Sequence, residues 1–148
     1  MTDGARAALY LLGGGLLLAG GTELAVRVYD ATPRATRSVL VNGTETPAGV
    51  GLSVPLVATV NKAVTLRAAS VGLPNPTYQF WVESPTGTWQ NIYGYGPNAT
   101  ASFTPTLAGI WHVIAYARDA STPARQSGTT GPRPKYEVWS HTLRIWVI

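Results

Sequence analysis

Residues 109–120 read GIWHVIAYARDA. From Trp111 through Val113, Ala115 and Ala117 every second side chain is apolar, with His112 on the opposite side. Alternation of period 2 is the mark of a half-buried strand, one face on a core and the other outward. The preceding stretch that packs closest in sequence, TYQFWVE at 77–83, repeats it: Tyr78, Phe80 and Val82 inward, Gln79, Trp81 and Glu83 outward. Between them Ser84-Pro85-Thr86-Gly87 reads as a turn, because Pro85 presets φ and Gly87 takes the position that needs positive φ. TWQNIY at 88–93 then returns as the hairpin partner, and TASFTP at 100–105 supplies a further strand.

Working outward, AVTLRAAS at 63–70 places Val64, Leu66 and Ala68 on one face and Thr65 and Arg67 on the other. GLSVPLVATV at 51–60 contains Pro55, which cannot donate to a sheet ladder and so predicts an edge strand that kinks midway. The C-terminal YEVWSHTLRIWVI alternates Leu143, Ile145 and Val147 with Arg144 and Trp146. No segment after residue 30 sustains helical periodicity. The expected fold is therefore all-β, an antiparallel sandwich of about seven strands over residues 50–148. Its core is expected to hold Leu66, Phe80, Val82, Trp111, Val113, Leu143 and Ile145. Residues 26–49, rich in Thr, Pro, Gly and Arg, read as a spacer with one marginal strand at Val39-Leu40-Val41.

Composition agrees with one domain. The chain has 148 residues, 45% of them hydrophobic, which is enough for a core. Charged residues are only 12%, and Trp and Tyr are frequent, which excludes whole-chain disorder. There is no Cys, so thiolate metal sites, thiol nucleophiles and disulfides are excluded. The formal net charge is +4, but the basic residues are scattered rather than gathered on a stripe. Nucleic-acid binding is therefore not expected.

Residues 7–21, AALYLLGGGLLLAGG, run fifteen positions without a charge after Arg6. As a helix they would rise about 22 Å, short of the roughly 30 Å hydrocarbon core. A basic flank, an apolar centre and the small residues Ala19-Gly20-Gly21 read as a signal peptide over residues 1–25, with an uncleaved membrane anchor as the alternative. The expected location is extracellular or on the cell surface, with the membrane as a partner if the segment is retained.

TPTLAGIWHV at 104–113 resembles the corner before the sixth strand of immunoglobulin-like domains. Leu107, Gly109 and Trp111 stand where those domains often place Leu, Gly and Tyr, and an indole N–H takes the place of the tyrosine hydroxyl. Residues 64–148 as a whole resemble the triple-tyrosine (Y_Y_Y-type) domain of bacterial surface proteins. The matching text is VTLRAAS, YQFWVESPTGTWQ, FTPTLAGIWHV, AYARDAS and then Tyr136. The resemblance implies an immunoglobulin-like module used for interaction or spacing, with no catalytic residues to transfer.

His112 and His141 have no third ligand at suitable spacing, so no metal site is expected. Ser140, His141 and Asp119 form no triad, since neighbours on a strand face opposite ways and no strand–turn–helix elbow surrounds any Ser. Glu83 and Glu137 are the only acids that could serve glycoside hydrolysis, and nothing sets them across a cleft. The expectation is no enzyme and no cofactor. Trp81, Trp89, Tyr93 and Tyr95 are candidate aromatic contacts, since exposed rings stack on sugars or proline-rich peptide. Cross-strand pairing that merely stabilises the sheet is the competing role. The loop at 120–135, ASTPARQSGTTGPRPK, is a candidate basic contact through Arg125, Arg133 and Lys135. Expected partners are cell-wall polymer, glycan or another surface protein, by binding, adhesion or spacing. The alternatives are a carbohydrate-binding module using exposed Trp and Tyr, and a self-associating subunit of a surface filament or layer.

Overall fold

The computed structural model describes residues 8–12, 15–19, 26–27, 33, 37–122 and 137–148. Among the described residues every regular element is a strand: β1 (Ala8–Leu12), β2 (Gly15–Ala19), β3 (Val26–Arg27), β4 (Arg37–Val41), β5 (Thr44–Pro55), β6 (Val57–Ala58), β7 (Val64–Val71), β8 (Pro76–Glu83), β9 (Trp89–Gly96), β10 (Thr100–Phe103), β11 (Gly109–Asp119), β12 (Val138–Trp139) and β13 (Leu143–Val147). Two open sheets enclose one core. The smaller runs β10-β7-β5-β3, with β4 also on β5; the larger runs β6-β13-β11-β8-β9, with β12 also on β11. The architecture is an all-β sandwich.

Inner and outer faces follow the alternation. Leu66, Phe80, Val113 and Ile145 are fully buried, and Val82, Trp111 and Leu143 nearly so, in one cluster drawn from both sheets. All seven expected core residues are in place. At the corner before β11, the Trp111 indole N–H donates to the Leu107 carbonyl at 2.9 Å, as the resemblance implied. The Trp111 ring packs on Phe103 at 5.4 Å between centroids. Gly109 turns this corner at φ +129, and a Cβ there would lie 2.9 Å from Pro85 Cγ. Trp111→Phe should therefore cost about 1–2 kcal/mol through the lost donor and smaller ring. The check is a urea midpoint, and an unmoved midpoint would deny the bond any role.

Pro55 does kink the chain, though not on an edge strand. On the side of β5 away from β7, β3 pairs Val26 with Pro55 and β4 pairs Arg37 through Val41 with Ala48 through Thr44. Beyond Pro55 the chain leaves the smaller sheet, and β6 joins β13 of the larger sheet in parallel. The Leu56 carbonyl accepts from Trp146 N–H at 3.0 Å and the Ala58 carbonyl from Ile148 N–H at 2.9 Å. A residue without an N–H suits the point where one ladder is dropped and another begins.

The expectation of a spacer over 26–49 is corrected for its second half. β4 and β5 form a hairpin closed by Asn42 (φ 49) and Gly43 (φ 78), the two positive-φ positions of a type I′ turn. Val39, Val41 and Ala48 are buried in the common core. Residues 8–12 and 15–19, read from sequence as part of an export or anchor segment, pair as antiparallel strands β1 and β2 from Ala8↔Ala19 to Leu12↔Gly15. No helix among the described residues is long and apolar enough to cross a membrane.

Candidate functional site

The outward face of the larger sheet is assembled by cross-strand register. One row runs Arg144, His112, Glu83 and Trp89 across β13, β11, β8 and β9. The next places Ile114, Trp81 and Asn91 side by side, and the one after aligns Trp139, Tyr116 and Gln79. Arg118 stands opposite Thr77, and Trp146 opposite Ile110. Four of the chain's five Trp residues thus share one face. The outward face of the smaller sheet carries Thr65, Arg67, Ala69, Ser53, Thr100 and Ser102 in register, with no aromatic ring among these residues.

Trp81, Trp89, Ile114, Tyr116 and Thr142 line a shallow cleft of about 400 Å³ on the aromatic face. Trp89 is 42% exposed and Trp146, outside the cleft, 55%. Ring pairs found among the described residues lie inside the sandwich instead, between Phe80 and Tyr93 and between Phe103 and Trp111. Trp81 and Trp89 pair with no other ring there, so cross-strand stacking does not explain them.

One polar pair on this face is closed, and several buried polar atoms beside it have no hydrogen-bond partner. His112 Nδ1 lies 2.8 Å from Glu83 Oε2. The Arg118 guanidinium lies 4.2 Å above the Tyr95 ring, and its Nε and Nη1 are buried without a hydrogen-bond partner. Burial, and next the Glu137 carboxylate, hold the Tyr95 phenol well above its ordinary range, with Arg118 opposing. The phenol stays neutral at any physiological pH. Its hydroxyl feels Glu137 but makes no hydrogen bond of good geometry. Asn91 Nδ2 is also buried and unpartnered.

Of the four rings singled out from sequence, the structure brings Trp81 and Trp89 to the cleft and places Tyr95 on the same face under Arg118. Tyr93 is a correction. Its ring turns inward onto Phe80 at 6.2 Å, and its hydroxyl accepts from the Asn98 N–H at 3.2 Å. The cause is a register irregularity in β9. Trp81↔Asn91 and Phe80↔Tyr93 put one extra residue on β9, which turns Tyr93 inward, and Phe80↔Tyr93 and Tyr78↔Gly96 put on another, which sends Tyr95 outward again. Arg125, Arg133 and Lys135 lie outside the described residues. Their loop does begin where expected: Asn75 N–H donates to Asp119 Oδ2 at 2.8 Å, and Ala120 N–H to the Asn75 carbonyl at 2.8 Å.

Sequence reasoning missed Ile114 and Tyr116 as lining residues. They sit between the inward residues of β11, so the alternation that found the core also held this signal. Ser140 Oγ accepts from Ala115 N–H at 3.0 Å and donates to the His141 carbonyl at 2.9 Å. It bridges the break between β12 and β13.

Compared with known proteins, the chain matches no family model and no curated protein. Among solved structures it is similar to the PKD domain of an M14-like peptidase from a Thermoplasmatales archaeon, at 16% identity and a TM-score of 0.42, over 66% of this chain and 91% of that one.

Proposed function

We propose that this chain is a non-catalytic, exported or cell-surface β-sandwich module that binds its partner through the outer face of the larger sheet. The observation that carries the reading is the asymmetry of the two outer faces. Four Trp residues gather on one, and small or polar side chains cover the other. A large ring left in water forgoes the burial that would stabilise it, so a gathering of such rings on one face is better suited to a partner than to the fold. The resemblance to triple-tyrosine surface domains supports the same class of module.

Two measurements test this. Purified protein should be retained on an isolated cell-envelope fraction, and Trp89→Ala should abolish most of that retention while leaving the urea midpoint unchanged. Equal retention of the variant would overturn the binding-face reading. Residues 1–25 fused to a reporter active only outside the cytoplasm should yield signal, and a silent fusion would overturn export. A second reading, subunit of a surface filament or layer, draws on the open edges at β9 and β10. It requires sedimentation that changes with protein concentration.

A further inference from the structure

Building on the proposed binding face, we infer that the cleft between Trp81 and Trp89 is a subsite for a ring of an uncharged glycan chain. The lining selects this chemistry. Trp81, Trp89, Ile114, Tyr116 and Thr142 carry flat apolar surface and hydroxyl groups, and no formal charge at neutral pH. The ionisable pair in the next row, His112 and Glu83, is closed on itself at 2.8 Å. Arg118 offers the face little charge either, because its guanidinium lies on the Tyr95 ring with Nε and Nη1 buried. Arg144 stands exposed in the same row as His112 and Glu83 but outside the lining, so among the described residues an anionic polymer would meet no counter-charge within the cleft itself, whereas a neutral ligand meets a matched surface.

Ring geometry narrows the choice further. Asn91 faces Trp81 and Trp89 faces Glu83, so the two indoles are diagonal neighbours on adjoining strands, roughly 7–8 Å apart at their backbones. Such a pair forms a platform wider than one indole. A pyranose presents a flat C–H face to stack and an equatorial rim of hydroxyls that both donate and accept. Beside the platform stands the Thr142 hydroxyl, which can both donate and accept. A pocket of about 400 Å³ falls in the range of roughly 300–1,000 Å³ found for small-molecule sites. A proline-rich peptide also stacks on indoles, but it brings only carbonyl acceptors, whereas a sugar hydroxyl matches both the donor and the acceptor capacity of the Thr142 hydroxyl.

The test titrates the full chain with neutral cello-, chito- and manno-oligosaccharides, a polyproline peptide and a sulfated polysaccharide, followed by calorimetry and Trp fluorescence at low and high salt. The inference expects one of the neutral oligosaccharides to bind with a fluorescence change and an affinity indifferent to salt. Trp89→Ala should weaken that binding roughly tenfold or more, and Arg67→Ala, on the opposite outer face, should leave it unchanged. Binding of the peptide, or salt-sensitive binding of the sulfated polymer, with no oligosaccharide bound, overturns the glycan assignment and leaves the binding face intact. Silence from every probe overturns the glycan assignment as well. In that case envelope retention that still depends on Trp89 would keep the binding face, and its absence would remove both.

Discussion

Leu66→Ala should lower the unfolding free energy by about 2–5 kcal/mol, a large share of the roughly 5–15 kcal/mol that holds a domain of this kind together. Leu66 lies on β7, between β5 and β10, and no part of its side chain reaches solvent. It shares its cluster with Phe80 from the opposite sheet, so its removal opens a void between two rigid layers with little room to collapse. Urea denaturation measures the effect as a lower midpoint at unchanged slope. Trp146→Ala, at a side chain 55% exposed, supplies the contrast with a much smaller change. A loss below about 1 kcal/mol at Leu66 would mean that the two inner faces do not share one core.

The second large effect is expected at Asp119. Its side chain is 1% exposed, and its carboxylate accepts from Asn75 N–H at 2.8 Å, Ser121 N–H at 2.9 Å and the Ser121 hydroxyl at 2.6 Å. Asp119→Ala leaves two backbone donors without their acceptor, which should cost about 2–5 kcal/mol in all. Burial pushes the carboxyl upward, but the bonds from Ser121 and Asn75 together outweigh it and hold it below its ordinary 3.8. A depressed folded value means that the ionised group stabilises the fold at every pH above the unfolded value of about 3.9. That contribution fades as pH falls through the lower folded value. Denaturation from neutral to acid pH should therefore show wild type and Asp119→Ala converging below about pH 4. A gap that stays constant across the range would show that the carboxylate's charge contributes nothing.

The parts of this molecule legible from sequence are those governed by local alternation. β7, β8, β11 and β13 each keep a regular period of 2, so Leu66, Phe80, Val113 and Ile145 could be assigned to the core one strand at a time. Pro55 signalled its kink because a missing N–H is a local fact, but which strands flank β5 is a property of the whole sheet. The β4–β5 hairpin was legible and passed over. Asn42-Gly43 between two strand-like stretches is a strong hairpin signal, but the Thr- and Pro-rich composition around it is that of a spacer.

The candidate site was half legible for the same reason. Trp81 follows the parity of β8 and was placed outward correctly. Tyr93 and Tyr95 could not be told apart, because the irregularities of β9 depend on its pairing with β8. The cleft itself needed the strand order β13-β11-β8-β9, which brings Thr142, Ile114, Trp81 and Trp89 together from four separate stretches of chain.

The most direct test of the binding face maps the contact by NMR while neutral oligosaccharides released from a cell envelope are added to the ¹⁵N-labelled chain. The indole N–H signals of Trp81 and Trp89 should shift, together with backbone amides of β8, β9 and β11, and the indole of Trp111, bonded to Leu107 inside the corner, should stay in place. Shifts gathered instead on Thr65, Arg67, Thr100 and Ser102 of the opposite face, or on residues 123–136, would contradict the account.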